Sequence, residues 1–189
     1  MITSKTNPKI KNVVKLQKSS ERRKQNRIII EGRREIERAL ACGFVIDTLF
    51  ICNEIAKESI DIKANVIEEV SLEVFEKIAY REGSDGLLAV AIPRYSNLKD
   101  FKPKKNPLII VLETVEKPGN LGAVMRTADA AGVDAVIIAD PRTDLFNPNA
   151  IRASIGTIFS VPLFACSSEE CISWLRENDI KTYCTYLKA

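Results

Sequence analysis

The sequence predicts an α/β protein made of two consecutive units, because short apolar strands alternate with amphipathic helices along its 189 residues. In the first unit we predict strands at 27–32, 45–52 and 86–93 and helices at 33–43 and 71–80. The second unit is predicted to hold a mainly parallel sheet, with alternating strands and helices at 108–113, 120–131, 134–140, 147–156, 159–166, 167–179 and 180–187.

The ends of the first unit have distinct patterns. Residues 7–27 place apolar side chains near helical spacing with lysines between them, which predicts a helical segment. Residues 94–107 are polar and contain two prolines, which is typical of a linker. We therefore expect a domain at 1–95, a linker at 96–106 and a second domain at 107–189.

Composition restricts the chemistry. Hydrophobic residues make up 46% of the chain and no apolar run reaches the roughly 18 residues of a membrane span, so we expect a packed cytoplasmic protein without a signal peptide. The odd number of cysteines, five, and the absence of CxxC favour buried reduced thiols over disulfides or zinc. There is no histidine, which removes the commonest general base and metal ligand, and we expect no metal site.

Positive charge is concentrated at the N-terminus. Residues 1–40 carry twelve basic and four acidic side chains, a local net charge of +8, although the whole chain has only +3. Such an excess favours a nucleic acid partner over a merely solvated helix face. We expect that removing residues 1–27 weakens RNA binding. The predicted RNA contacts in this segment are Lys5, Lys9, Arg22, Arg23, Lys24, Arg27 and Arg33.

A first motif, EKPGNLGAVMRTADAAGV, runs from Glu116 to Val133. It lies where a buried strand ends and a helix begins, the edge at which α/β proteins bind ligands. Asn120 is predicted either to cap the helix or to hydrogen-bond a substrate. Arg126 follows apolar residues and predicts a buried guanidinium, which needs a partner: Asp129 in a structural salt bridge, or an RNA phosphate or ribose.

A second motif, NPNAIRASIGTIFSVP, begins at Asn147 and carries Arg152 and Ser154. Gly156 would permit a close backbone approach. The polar residues are compatible with an ordinary capped helix, and also with RNA contacts by Arg152 and Ser154.

Together the two motifs resemble the first two of three motifs of the SpoU (TrmH) family of RNA ribose 2′-O-methyltransferases, in the SPOUT superfamily. RIIIEGRREIERALACG and SDGLLAVA are similar to the family's N-terminal L30e-like substrate-binding domain. The resemblance implies an α/β fold with an L30e-like domain followed by a SPOUT parallel-sheet domain of the trefoil-knot type. It also implies S-adenosylmethionine as methyl donor, RNA as substrate, a homodimer, and Asn120 and Arg126 as catalytic residues.

The family's third motif, a Gly-Asn-Glu-Gly-like segment that forms most of the knot and the donor pocket, is missing. We therefore expect a partial SPOUT domain that stops before the knot, with most cofactor-binding residues beyond residue 189. A fragment is the favoured interpretation, and loss of the donor site is the alternative.

The resemblance implies that Arg126 activates a ribose 2′-hydroxyl. Because a guanidinium holds its proton tightly, orientation of a phosphate and stabilisation of the developing alkoxide are safer roles. Ribosomal RNA is the expected substrate, since a separate L30e-like domain is typical of the ribosomal members. The alternatives are transfer RNA as substrate, methylation of a base, a non-catalytic RNA-binding protein with a degenerate SPOUT domain, and an unrelated doubly wound nucleotide enzyme.

Overall fold

A computed structural model describes residues 1–56, 61–81 and 83–185. The first unit holds four helices and four strands. Its elements are α1 (Pro8–Leu16), α2 (Ser19–Gln25), β1 (Ile28–Glu31), α3 (Arg33–Ala41), β2 (Val45–Ile51), β3 (Val66–Glu69), α4 (Leu72–Ile78) and β4 (Leu87–Ile92).

The first sheet has the strand order β1-β4-β2-β3. Strand β4 is antiparallel to β1 and to β2, whereas β3 is parallel to β2. The three predicted strands and the helices α3 and α4 are confirmed. Strand β3 was missed, because its sequence, VIEE, lies on the sheet edge and lacks the apolar run used to recognise a strand.

The N-terminal segment forms two helices, and their sequence explains where they begin and end. The Asn7 side chain accepts the Lys9 N–H and Pro8 occupies the first turn, so α1 starts there. Helix α2 ends at Asn26 in the left-handed conformation. Helices α1 and α4 bury Ile10 and Phe75 against one face of the first sheet.

The second unit contains a parallel three-stranded sheet of order β5-β6-β7. Its elements are β5 (Ile109–Glu113), α5 (Pro118–Ala131), β6 (Ala135–Ala139), α6 (Pro148–Ala153), β7 (Leu163–Cys166) and α7 (Ser168–Glu177). These confirm the predicted alternation. The prediction of a last strand at 180–187 is wrong for residues 180–185, which form no strand, and residues 186 and 187 lie outside the described residues.

Residues 94–107 are packed against the second sheet. Ser96 pairs with Phe164 in a parallel bridge, and Leu98 lies in the same hydrophobic cluster as Phe164. The Phe101 ring lies 5.1 Å from the ring of Phe164 and 5.9 Å from that of Trp174, between centroids. The expectation of a loose linker is therefore wrong, because its few apolar side chains cover one face of the β5-β6-β7 sheet.

The two units share a continuous hydrophobic core. Ile30 of β1 and Ile36 of α3 belong to the same buried cluster as Met125 of α5 and Ile151 of α6. Helix α6 contacts both α5 and β1, so it lies between the units. The relative position of the two sheets is consequently set by side-chain packing.

A buried ion pair joins the units at the edge of this core. The guanidinium of Arg22, 3% exposed, donates from Nε to Asp144 Oδ2 at 2.8 Å, and its Nη2 lies 2.7 Å from the same oxygen. Its Nη1 donates to the carbonyls of Leu16 and Gln17 at 2.9 and 2.8 Å. The second oxygen of Asp144 accepts the N–H of Phe146, so the pair also holds the loop that leads into α6.

We predict that Arg22→Ala destabilises the protein by about 3–5 kcal/mol, because it leaves the Asp144 carboxylate buried without its cation. Arg23→Ala is the matched control: Arg23 is the exposed neighbour, and its loss should change the free energy of unfolding by less than about 0.5 kcal/mol. Urea unfolding measures both. Equal stabilities of the two variants would contradict the structural role of the pair.

Candidate active site

Helix α5 carries the first motif and has two distinct faces. Pro118 occupies its first turn, and Gly132, in the left-handed conformation at φ 63°, ends it. Leu121 and Met125 face the shared core. Asn120 and Arg126 are both exposed, so the helix presents the two candidate catalytic side chains to solvent.

The expectation of a buried Arg126 is wrong. Its apolar neighbours in sequence point elsewhere, because successive residues on a helix differ by about 100° in direction. Asp129 is also not its partner: that carboxylate accepts the Ser160 hydroxyl at 3.2 Å and lies 3.9 Å from Arg38. Throughout the described chain, the Arg126 guanidinium has neither an ion pair nor a hydrogen bond, which leaves its donors available to a ligand.

Asn120 does not cap α5. The cap position is Lys117, and the backbone N–H of Asn120 donates to the Lys117 carbonyl at 3.0 Å. Asn120 stands in the first turn, six residues before Arg126, so the two side chains are separated by about 9 Å along the helix axis. The exposed amide is therefore available for a substrate rather than for the helix end.

Helix α6 carries the second motif. The Asn147 side chain accepts the Asn149 N–H and starts the helix. Arg152 is exposed, as an RNA contact requires. The prediction that Ser154 contacts RNA is wrong, because Ser154 is buried and its hydroxyl donates to the Ile151 carbonyl at 2.8 Å. A hydroxyl at a helix end commonly bonds back to the preceding turn.

A glycine brings the two motif helices together. A Cβ on Gly122 would lie 2.5 Å from the Cβ of Ala153 and 2.8 Å from the carbonyl oxygen of Ala150. Glycine at this position lets α5 and α6 approach closely enough to pack backbone against side chain. This crossing fixes the relation between Asn120 on α5 and Arg152 on α6.

The carboxyl edge of the second sheet lies beside the start of α5. The hydroxyl of Ser168 donates to Glu113 at the end of β5 at 3.2 Å, and its N–H donates to Asp140 beyond β6 at 3.3 Å. Burial raises the pKa of Cys166 at the end of β7 to about 11, so this thiol is protonated at neutral pH and a poor nucleophile. The edge thus presents exposed carboxylates rather than a reactive thiol.

The predicted basic surface is only partly available. Lys5 forms an ion pair with Glu73 at 2.7 Å and Lys9 with Glu68, and Arg22 is buried. Arg27 lies 3.5 Å from Asp47 and Arg33 3.4 Å from Glu37. Arg23 and Lys24 remain exposed on α2. Of the nine predicted RNA contacts, Arg22 and Ser154 are removed by burial.

The cysteines and the acidic residues show no unusual site. All five cysteines are free, but only Cys52 and Cys171 are buried, while Cys184 is exposed, so the expectation of buried thiols holds in part. Within residues 1–56, 61–81 and 83–185, no group of three or more Cys, Asp or Glu side chains is arranged to hold a metal ion. No helix in that part of the chain is long and apolar enough to cross a membrane.

Sequence patterns did not reveal the contacts that join the units. Asp144 was not singled out, because a buried carboxylate 122 residues from its arginine has no local signature. Asn149 donates to the hydroxyl of Tyr80 at 3.1 Å, which ties the second motif to the first unit. The Glu-Gly pair at 31 and 32 was noted as a strand end, but its buried carboxylate was not recognised as a polar centre.

Known proteins match both units. A model of the MRM3-like substrate binding domain matches residues 7–89, and a model of the SpoU rRNA Methylase family matches residues 107–189. The chain is 29% identical over 188 residues to the 23S rRNA (guanosine(2553)-2'-O)-methyltransferase RlmP of Bacillus subtilis (strain 168), covering 99% of this chain and 73% of that protein.

Solved structures agree with these matches. A crystal structure of an RNA 2'-O ribose methyltransferase superposes with a TM-score of 0.80 at 36% identity, covering 94% of this chain and 70% of that one. The AdoMet-bound rRNA methyltransferase from Sinorhizobium meliloti superposes with a TM-score of 0.82 at 31% identity, covering 94% and 68%. The chain therefore spans about 70% of the length of these relatives.

Fold and site together define an S-adenosylmethionine-dependent RNA methyltransferase. The chain belongs to the SpoU family and carries an MRM3-like substrate-binding domain ahead of its methylase domain. The predicted family and fold class are confirmed, while the trefoil knot and the individual site residues stay predictions.

We predict that Gly122→Ala destabilises the protein by about 1–3 kcal/mol, because the new methyl group forces α5 away from α6. Gly119→Ala is the matched control in the same helix. A Cβ there meets nothing within 4 Å, so alanine should stabilise the helix by up to about 1 kcal/mol. Thermal unfolding of both variants checks the opposite signs, and a stable Gly122→Ala protein would contradict the close crossing.

Proposed function

We propose that this protein transfers a methyl group from S-adenosylmethionine to a ribose 2′-hydroxyl of ribosomal RNA, with Asn120 and Arg126 at the reacting centre. The observation that carries the proposal is the exposed, unpaired guanidinium of Arg126 on a helix that also presents Asn120. The relatives RlmP and the Sinorhizobium meliloti enzyme, by their names, modify ribosomal RNA.

Arg126 acts on the RNA rather than as a conventional base. Its guanidinium holds the phosphate next to the target ribose and stabilises the alkoxide as the 2′-hydroxyl loses its proton to that phosphate or to water. Asn120 orients the ribose by hydrogen bonding. Much of the acceleration comes from aligning the hydroxyl oxygen with the methyl carbon.

The described residues suit one side of a cofactor site. Bound S-adenosylmethionine supplies a methyl group on a cationic sulfonium. Glu113 and Asp140, exposed carboxylates at the carboxyl ends of β5 and β6, would face the cationic groups of such a ligand. The other pocket residues are expected outside residues 1–189, in the missing third motif.

We also propose that residues 1–95 act as the RNA-binding domain, that residues 107–189 form the methyltransferase domain, and that the enzyme works as a cytoplasmic homodimer. Ala123, Thr127 and Ala130 form an exposed stripe on α5, and the Thr127 hydroxyl donates to the Ala123 carbonyl. This stripe offers methyl groups for close packing against a second copy. A protein that sediments as a monomer at micromolar concentration would contradict the dimer.

We predict that Arg126→Ala lowers methyl transfer by on the order of 10²–10³-fold, because an interaction with developing charge is lost. The measurement uses labelled S-adenosylmethionine and unmodified ribosomal RNA, scored at alkali-resistant phosphodiester bonds, with the complete gene product. Stability should not change, since the side chain is exposed.

Arg176→Ala is the matched control, because Arg176 is an exposed arginine near the end of α7. It should retain full activity. Activity in Arg126→Ala equal to that of Arg176→Ala would sink the catalytic assignment. Tight RNA binding with no methyl transfer by the wild-type protein would support a non-catalytic binder instead.

Deletion of residues 1–27 no longer tests RNA binding, because Ile10, Val13 and Leu16 belong to the core and the deletion would unfold the first unit. We predict instead that the double variant Arg23→Ala, Lys24→Ala weakens RNA binding and reduces the slope of log K against log salt by roughly 0.7–0.9 for each lost phosphate contact. The double variant Lys5→Ala, Lys9→Ala removes equal charge from paired lysines and should change the slope less. Identical slopes would exclude α2 from the RNA interface.

A further inference from the structure

A cleft of about 610 Å³ opens in the first unit, next to the end of α4. This volume is within the roughly 300–1,000 Å³ of small-molecule sites. Apolar walls are supplied by Ile55, Phe75 and Ala79, and the rim by Tyr80, Arg81 and Ser84. The cleft is separate from α5 and from the carboxyl edge of the second sheet.

Three buried polar atoms gather at one wall of this cleft. Glu31 Oε1, Arg81 Nε and Ser84 Oγ are out of contact with water and have no hydrogen-bond partner among the described residues. The Glu31 side chain is only 7% exposed, and its Oε1 lies 3.6 Å from Arg81 Nε. Its other oxygen accepts the Tyr80 N–H at 2.6 Å. Buried polar groups are normally satisfied, so unpartnered atoms beside a cleft indicate a ligand that supplies the missing partners.

Burial also affects the charge of this centre. It raises the pKa of Glu31 above its ordinary value, although the Tyr80 N–H and the Arg81 guanidinium act in the opposite direction. A carboxylate held in this way gains from an N–H donor that replaces lost hydration.

The cleft is connected to the second motif. Tyr80 is 38% exposed, and its hydroxyl accepts a hydrogen bond from Asn149 of α6 at 3.1 Å. Asn149 lies three residues before the exposed Arg152 on the same helix, so both side chains emerge on one face. RNA that passes over Arg152 would reach the Tyr80 rim, where an aromatic ring can stack on a base that has left its helix.

We infer that this cleft binds one unpaired base of the RNA substrate, stacked on Tyr80 and read through its N–H-bearing edge by Glu31, with Arg81 and Ser84 donating to the base oxygens or nitrogens. Every base edge of this kind presents an N–H donor beside an acceptor, which matches the carboxylate, guanidinium and hydroxyl. The inference deepens the proposed function, because it rests on RNA being the substrate, and it gives the first unit a site that selects the substrate.

The test uses nucleoside 5′-monophosphates as probes and ribose 5-phosphate as the probe that lacks a base. Binding is followed through the backbone amide resonances of Gly83 and Ser84 in the nitrogen-labelled 189-residue chain. We expect at least one nucleotide to shift these resonances, and ribose 5-phosphate to leave them unchanged. Equal shifts by ribose 5-phosphate would overturn the inference in favour of a phosphate site, and no shift by any nucleotide would overturn it altogether.

Two variants and their controls assign the contact. Glu31→Gln should weaken binding about 10-fold or more, whereas Glu69→Gln, at an exposed glutamate, should not. Ala79→Leu fills the cleft without removing a hydrogen bond, so it tests the site even if Glu31→Gln unfolds. Tyr80→Ala should lose stacking worth about 10-fold or more, whereas Tyr183→Ala, at an 80% exposed tyrosine, should not. Unchanged binding in Ala79→Leu would sink the inference.

These measurements are independent of methyl transfer. A protein that methylates ribosomal RNA but binds no nucleotide in the cleft refutes the base site alone. A protein that binds nucleotides in the cleft but transfers no methyl group refutes the proposed reaction alone.

Discussion

The close crossing of α5 and α6 is the constraint on which the candidate site depends. Gly122 allows the crossing because any Cβ would collide with Ala153 and with the α6 backbone. Helix α6 in turn packs on β1, so the same contact that orients the two motifs also docks the methylase unit on the substrate-binding unit. A small residue at one position therefore controls both the local geometry and the arrangement of the units.

The buried pair between Arg22 and Asp144 supports this arrangement from the other side of α6. Replacing a buried pair by apolar residues is often neutral, so such a pair is weak evidence of net stabilisation. Its value here lies in specificity: four contacts of one guanidinium define where the loop before Asn147 must lie. Charge that the sequence suggests for RNA binding is thus used to hold the protein together.

A rigid connection between the units has a consequence for substrate selection. The Tyr80–Asn149 hydrogen bond links the cleft of the first unit to the second motif, and Arg126 lies on the helix that packs against that motif. RNA contacts in the two units are therefore held at a fixed separation. Selection of a target by shape needs such a fixed separation, because folded RNA offers its unpaired bases and its backbone at defined positions.

The sequence alone determined the alternation of strands and helices, the family and the identity of the motif residues, because periodicity, capping residues and short motifs are local signals. Tertiary structure decided which charges are free. Arg126 is exposed although its neighbours are apolar, Arg22 and Ser154 are buried although both are polar, and β3 forms although VIEE is a poor strand pattern. Each of these outcomes depends on contacts between distant segments, such as Asp144 with Arg22 and Gly122 with Ala153, and spacing along one segment does not encode them.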